Sequence, residues 1–422
     1  MNRLHARVAR RLGALLGMVA SLAPPLAAQT IAIVGGTVYP VSGPKLDGAT
    51  ILIRDGRITA VGTNVAVPQG ALRIDATGRW VTPGLIHANS SLGLSDVGSV
   101  DATNEATHAG EVNAAFNVAE GLDPATPLIP IARLGGVTTA VTGPSTGLIP
   151  GQAVLIDLSG DHIEKLVARS PVAMVVNLSE SSKSAGGGSR AGVLEVLRQL
   201  FADAQEYERR KGDFKRNQMQ TLSAPAAELE ALGPVLRGEL PVLAIANRES
   251  DVASALRLAR DFHLRLLIRG GVEAWKLADE LAAAKVPVIL EPINDVPSFD
   301  GLGARFDAAA LLDRAGVTVI VTENENGGAR NLRWAAGHAV RFGMPWDHAL
   351  AAVTLAPARA LGVDDRYGSL EAGKVANVVV WSGDPLDFSS YAEHVFIRGV
   401  EMPKTSRQTE LLERYRTLPP AY

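Results

Sequence analysis

The stretch Val81-Thr-Pro-Gly-Leu-Ile-His-Ala-Asn-Ser-Ser-Leu-Gly-Leu94 organises the rest of this chain of 422 residues. Residues 80–86 are mostly apolar and predict a buried strand. A short polar run, residues 87–91, follows directly. His87 stands at the expected end of the strand, so this run is the first candidate for a functional site.

Composition indicates an ordinary globular protein with one large domain and one small one. The chain is 47% hydrophobic and 20% charged. It contains no cysteine, which excludes disulfides and thiolate metal sites from the chain itself.

The N-terminus has the pattern of a secretory signal. A basic segment with four arginines precedes an apolar run, residues 12–22, which is too short to span a bilayer. Cleavage after Ala28 would remove those four positive charges and no acid, so the formal charge would fall from −3 to −7. We therefore expect a secreted or periplasmic protein, without a nucleic-acid partner and without membrane attachment after cleavage.

Strand patterns flank a long region in which apolar strands alternate with amphipathic helices. Residues 29–82 are rich in strands, and residues 376–381 and 395–400 have the same pattern near the C-terminus. The alternation between these two ends is typical of a parallel (β/α)8 barrel.

Three ordered motifs resemble the amidohydrolase superfamily. The run Pro83 to Gly93 is similar to the first barrel strand of that family, Pro-Gly-Leu-Ile-Asp-Ala-His-x-His-Leu-Gly. The run Gly368-Ser-Leu-Glu-Ala-Gly-Lys374 and the closing Pro357-Ala-Arg-Ala-Leu-Gly362 also resemble family motifs. The imidazolonepropionase-like group is the most similar in character.

The resemblance implies an α/β fold in which a (β/α)8 TIM-like barrel is inserted into a small β-sandwich domain made from the N- and C-terminal segments. The expected boundaries are 1–28 for the signal peptide, 29–82 and 356–402 for the two halves of the small domain, 83–355 for the barrel, and 403–422 for a C-terminal tail.

The resemblance also locates the family's metal-binding positions, and at the first strand they carry other residues. His87 stands where the family has aspartate, and Asn89 and Ser91 stand where it has two histidines. Asparagine and serine are neutral and hold a divalent transition metal poorly.

By the same resemblance, the family's metal-binding positions on the other strands also carry different residues. Val175 replaces a lysine, Ile245 and Asn247 replace the two histidines of the fifth strand, and Gly270 replaces the histidine of the sixth. Asn324 stands at the aspartate of the eighth strand. The family implies zinc or another divalent metal, but we expect no metal cofactor here, and we expect these substituted positions to line a neutral binding pocket.

The spacing of the histidines also argues against a metal site, independently of the family resemblance. The chain has eight histidines, no two within four residues of each other, so no His-x-His or His-Glu-x-x-His motif is present. The catalytic residues are unknown from sequence, and the candidates are His87, Glu323 and Glu325. Ser145 lies in a Gly-x-Ser-x-Gly run, but a predicted strand and not a helix follows it, which favours a loop over a nucleophile elbow.

Three functional hypotheses remain open. The first is an amidohydrolase-like protein, by resemblance a hydrolase of carbon–nitrogen bonds, that has lost its metal centre and keeps little metal-dependent activity. The second is a non-catalytic subunit that binds a small polar or peptide-like ligand, forms a homo-oligomer or pairs with an active relative. The third is a metal-free hydrolase that uses His87 with Glu323 or Glu325.

Overall fold

The structure is a computed structural model that describes residues 29–215, 222–293, 298–323 and 328–417. The signal segment expected at residues 1–28 lies outside these ranges, as do Asn324 and Glu325. Within the described ranges, no helix has both the length and the apolarity that a membrane crossing requires.

The first of two sheets is built from both ends of the chain. Its hydrogen-bonded path runs β16-β15-β14-β5-β1-β2-β3, and β4 pairs with β1. The strands are β1 (Ile31–Val38), β2 (Leu46–Arg54), β3 (Arg57–Gly62), β4 (Leu72–Asp75), β5 (Trp80–Pro83), β14 (Val378–Trp381), β15 (Ala392–Ile397) and β16 (Val400–Glu401).

The two halves of the small domain meet at β5 and β14. These strands pair antiparallel, with Trp80 opposite Trp381 and Pro83 opposite Val378. Fully buried Ile51 and Phe396 belong to one apolar cluster that draws on both halves. The expected pairing of the N- and C-terminal segments is therefore confirmed.

The second sheet is the barrel, whose path runs from β13 back through β12, β11, β10, β9, β8 and β7 to β6. Its strands are β6 (Leu85–Ser90), β7 (Val137–Thr142), β8 (Gly151–Asp157), β9 (Val167–Asn177), β10 (Val242–Ala246), β11 (Leu266–Gly270), β12 (Val288–Leu290) and β13 (Val319–Val321).

Helices cover the outside of the barrel. They are α1 (Leu128–Leu134), α2 (Ile163–Leu166), α3 (Arg190–Lys215), α4 (Ala226–Leu236), α5 (Glu249–Phe262), α6 (Ala278–Ala283), α7 (Ala308–Arg314), α8 (Leu332–Arg341), α9 (Trp346–Ala352) and α10 (Leu355–Ala360), with α11 (Arg407–Tyr415) beyond the small domain. The predicted TIM-like barrel with a small β-domain is confirmed.

Alternation along the barrel strands separates an inner core from an outer one. Ile86, Leu155 and Ile320 belong to the inner apolar cluster. Leu85 and Ala140 belong to the larger cluster that also contains the helix residues. Successive side chains of a strand point to opposite faces, so each strand contributes to both cores.

The regular succession of parallel barrel strands is interrupted at β8. This strand runs antiparallel to both neighbours, β7 and β9. The Gly-x-Ser-x-Gly run around Ser145 forms the loop between β7 and β8. A strand and not a helix follows that serine, so the structure has no nucleophile elbow there.

The single strand expected over residues 80–86 is two strands in two sheets. β5 ends at Pro83 and belongs to the small sheet, whereas β6 begins at Leu85 in the barrel. Gly84 lies between them against Thr138, and a Cβ built on Gly84 would be 2.1 Å from the Thr138 hydroxyl oxygen. Only glycine permits this approach, which lets the chain pass from one sheet to the other.

Asp157, at the end of β8, joins the barrel to the small domain. Its side chain is completely buried and accepts hydrogen bonds from Thr139 Oγ1 (3.1 Å), Asn377 Nδ2 (3.0 Å), the Tyr367 hydroxyl (2.9 Å) and Arg398 Nε (2.6 Å). Thr139 is a barrel residue, whereas Arg398 follows β15 of the small domain. One buried carboxylate therefore connects segments more than two hundred residues apart.

We predict that Asp157→Asn destabilises the protein by about 3 kcal/mol, because it leaves the Arg398 guanidinium without its buried counter-charge. Urea unfolding followed by circular dichroism measures this loss. Asp161→Asn, an exposed change four residues away, is the matched control and should leave the midpoint unchanged. Equal midpoints for the two variants would contradict the structural role of Asp157.

Candidate functional site

A cavity of about 340 Å³ opens at the C-terminal ends of the barrel strands. Active sites of (β/α)8 barrels lie at this end of the strands. Polar and charged side chains on several strand ends and on the loop after β12 line it: Asn89, Asn247, Arg269, Glu291, Ser298, Arg305 and Thr322. The apolar floor includes Ile245 and Ile289.

The structure brings together some, but not all, of the positions predicted from sequence. Asn89, Ile245, Asn247 and Gly270 line the cavity. Ser91 and Val175 are buried and do not line it. Asn324 and Glu325 fall outside the described residues, and half-buried Glu323 follows Thr322 at the end of β13.

The backbone at Gly270 disfavours a side chain. Gly270 has φ +93°, a region that residues with a Cβ rarely adopt. A Cβ built there would lie 2.2 Å from the Asn247 side-chain oxygen. A side chain at position 270 would therefore strain the backbone and would require the Asn247 side chain to move.

Asn247 is held by a hydrogen bond across the mouth of the barrel, which is the end at which this cavity opens. Its Nδ2 donates to Asp300 Oδ2 at 3.1 Å, and Asp300 lies on the loop after β12. Because this amide group is already hydrogen-bonded, the side chain contributes to the rim of the cavity and fixes the loop beside it.

Arg190, the first residue of α3, holds three carboxylates at this rim. It donates to Asp251 (Nε, 2.8 Å), to Glu180 (Nη1, 2.9 Å) and to Asp300 (Nη2, 2.5 Å). Asp251 is buried, and that burial raises its pKa against the opposing effect of Arg190. The network ties the loop after β9, the start of α5 and the loop after β12 to one cation.

Sequence reasoning missed the charged residues of the cavity. Arg269 and Glu291 lie at the ends of the neighbouring strands β11 and β12, and Arg305 lies farther along the chain. The Arg305 guanidinium lies 4.7 Å from the centre of the Trp275 ring and donates to Asp307 Oδ2 at 2.7 Å. A search for charged residues immediately after predicted parallel strands would have found Arg269 and Glu291.

His87 lies within the protein, away from the cavity. Its side chain is 0% exposed. The neighbouring Ile86 and Ala88 face the inner cluster, so His87 lies on the outer face of β6 together with Leu85. Its Nδ1 accepts the Asn89 N–H at 3.4 Å, and Nε2 has no hydrogen-bond partner among the described residues. Burial lowers the pKa of His87 to about 4, so the ring is neutral at pH 7.

The described side chains do not fit a divalent transition metal. Across the described residues, no three or more His, Cys, Asp or Glu side chains come together in a group that would hold a metal ion. Among the described substituted positions that line the cavity, Asn89 and Asn247 supply amide oxygens, whereas zinc prefers imidazole, thiolate and carboxylate ligands.

Comparison with known proteins links the chain to one group of enzymes. A model described as the amidohydrolase family matches residues 303–405. The amidohydrolase tasK of Hapsidospora irregularis is 28% identical over 386 residues, covering 83% of this chain and 39% of that protein, so the chain spans well under half of the tasK length.

Two further relatives match over most of their own length. An imidazolonepropionase of Klebsiella pneumoniae is 26% identical over 367 residues, covering 80% of this chain and 87% of that enzyme. The crystal structure of an amidohydrolase from Thermotoga maritima superposes with a TM-score of 0.81 at 28% identity, covering 89% of this chain and 100% of that one.

We predict that the free energy of unfolding decreases from pH 7 to pH 5 and that His87 accounts for part of this decrease. An unfolded histidine takes up a proton below pH 6.5, whereas buried His87 does so only near pH 4. Protonation therefore favours the unfolded state, and this residue alone should cost about 2 kcal/mol between pH 7 and pH 5.

Urea unfolding of the wild type and His87→Gln at both pH values measures this difference. The variant should lose about 2 kcal/mol less than the wild type on acidification. His162→Gln, which alters an exposed histidine, should behave like the wild type. An identical pH dependence in wild type and His87→Gln would show that His87 is not buried as a neutral ring.

Proposed function

Because the chain belongs to the amidohydrolase superfamily, a family of hydrolases, we propose that it keeps the family's barrel and mouth cavity as a site for a small polar, peptide-like molecule and has lost metal-assisted hydrolysis. The proposed protein binds its ligand with amide, hydroxyl and charged side chains. The N-terminal signal pattern supports action outside the cytoplasm.

Gly270 is the single observation that carries this proposal. Replacing Gly270 alone would strain the backbone, because of its positive φ, and would require the Asn247 side chain to move. Asn247, at a second ligand position, is itself hydrogen-bonded to Asp300. The loss therefore involves the backbone and the packing of the mouth as well as the identity of the ligands.

The cavity offers both charges to a ligand. Arg269 and Arg305 provide cationic groups and Glu291 an anionic one, while Asn89 and Thr322 provide neutral polar groups. The Thr322 hydroxyl is buried without a hydrogen-bond partner among the described residues, so it is a ready contact for a ligand atom. A zwitterion such as a short peptide matches this lining, and about 340 Å³ suits a molecule of that size.

The metal-free hydrolase that depends on His87 receives less support from the site. His87 is fully buried on the outer face of its strand and does not line the cavity. A neutral imidazole can act as a base only where it reaches the proton that it removes.

A role as a partner subunit has a specific observation in its favour. Phe299 is 86% exposed and Leu302 68% exposed, and both lie on the loop beside the cavity. Exposed aromatic and aliphatic side chains next to a site favour a contact with another protein chain. The second candidate is therefore a binding protein that pairs at its mouth with another copy or with an active relative.

We predict that Ala-Ala and Gly-Pro dipeptides bind with one site per chain in isothermal titration calorimetry and are not cleaved, with or without zinc. Asn89→Leu should weaken binding at least about fivefold, because it removes a polar group from the cavity wall and adds an apolar one. Ser91→Ala alters the neighbouring family position, which is not part of the wall, and should leave affinity unchanged.

Hydrolysis is measured in the same samples as release of free amino acids. Zinc-dependent release that a chelator abolishes would overturn the loss of metal chemistry. Absence of saturable binding to either dipeptide would reject the peptide-like ligand.

A further inference from the structure

A second and larger cavity lies at the opposite end of the barrel. It measures about 640 Å³ and is lined by residues that precede or begin β11, β12 and β13, among them Arg265, Pro287 and Thr318. Val41 of the small domain also contributes to its wall. The cavity is therefore a groove between the base of the barrel and the small domain, remote from the mouth.

Positive charge lines this groove without acidic residues. Arg260, Arg265, Lys285 and Arg359 line it, and among the described residues no aspartate or glutamate does. The whole chain has a formal charge of −3, so the cations at this place do not reflect a general excess. Lys285 and Arg359 are exposed, and the described residues hold no ion-pair partner for either.

A fifth cation, Arg169, extends the cluster. Arg265 Nη2 donates to the Ala360 carbonyl at 3.0 Å, and Arg169 Nη1 donates to the Gly362 carbonyl at 2.8 Å. A Cβ built on Gly362 would lie 3.5 Å from the first nitrogen and 3.8 Å from the second. Arg265 is an exposed residue, but partial desolvation of its guanidinium and the nearby Arg169 together lower its pKa.

Two guanidinium groups therefore lie close together and are oriented by main-chain carbonyls instead of carboxylates. Guanidinium groups bind carboxylate and phosphate through paired N–H donors. An anion bound beside Arg265 would offset the repulsion between these two cations.

The rest of the groove is aliphatic. Leu256, Leu264, Val286 and Leu355 line it together with several alanines. Val41, a β-branched residue, has φ +71°, a conformation that such residues rarely adopt. Strained residues of this kind persist where the surrounding structure determines the backbone, often beside binding sites.

We propose that this basal groove, defined by Arg260, Arg265, Lys285 and Arg359, binds a small organic anion with a carboxylate or phosphate head and an aliphatic body. The head lies against Arg265 and Lys285, and the body lies along the aliphatic wall. This site is separate from the mouth cavity and independent of the function proposed there.

Isothermal titration calorimetry of the full chain at constant ionic strength tests the site, with hexyl phosphate, hexanoate, inorganic phosphate and neutral hexanol as probes. At least one of the two hexyl anions should bind with one site per chain and more tightly than hexanol. Preference for hexyl phosphate over hexanoate identifies a phosphate head, and the reverse identifies a carboxylate.

The double variant Arg265→Gln/Lys285→Gln should bind the preferred anion at least about tenfold more weakly, since each lost charge-assisted contact removes part of the affinity. Both side chains are exposed, so the variant should keep the wild-type circular dichroism spectrum. Arg73→Gln removes one exposed cation from β4, outside the groove, and is the control for total charge. No saturable binding by either hexyl anion, or equal affinity in wild type and double variant, would overturn the proposal.

Discussion

The buried carboxylate of Asp157 is the contact on which the architecture depends. A charge that is completely removed from water is tolerated only when hydrogen bonds replace its hydration. Here four donors do so, and they come from a barrel strand, from the segment that closes the barrel and from the small domain. The Asp157 carboxylate thus joins the small domain to the base of the barrel. None of these four hydrogen bonds involves a residue of the mouth.

The contacts at the mouth reinforce one another. Gly270 takes a conformation that other residues rarely adopt, and the Asn247 side chain lies close to it. Asp300 accepts a hydrogen bond from Asn247 and another from Arg190. A metal centre would have needed carboxylates and imidazoles directed to one point. In this protein three carboxylates beside the mouth, those of Glu180, Asp251 and Asp300, are hydrogen-bonded to Arg190 and not directed to one metal position.

Much of the fold was predictable from the sequence, because the motifs at Pro83–Gly93 and Gly368–Lys374 lie in the segments that place the barrel relative to the small sheet. The division of residues 80–86 between two sheets was not, since it depends on the contact of Gly84 with Thr138. Likewise, a local pattern of apolar residues predicts β8 as a strand but does not indicate that it runs antiparallel.

The site was predictable only in part. Asn89, Ile245, Asn247 and Gly270 were found through their places in strand motifs, and all four line the cavity. The Arg190 network joins residues up to 110 positions apart, and no local pattern reveals such pairs. His87 was expected at the strand end, but β6 continues to Ser90, so alternation places its ring on the outer face of the barrel.

The most direct test of the account is the zinc content of the purified chain. The protein is prepared without chelator, dialysed against zinc and then against metal-free buffer, and analysed by mass spectrometry of the elements, with the melting temperature measured in parallel. We expect far less than one zinc per chain and an unchanged melting temperature. One tightly held zinc per chain with a raised melting temperature would contradict it, because it would mean that the mouth assembles a metal centre from other residues.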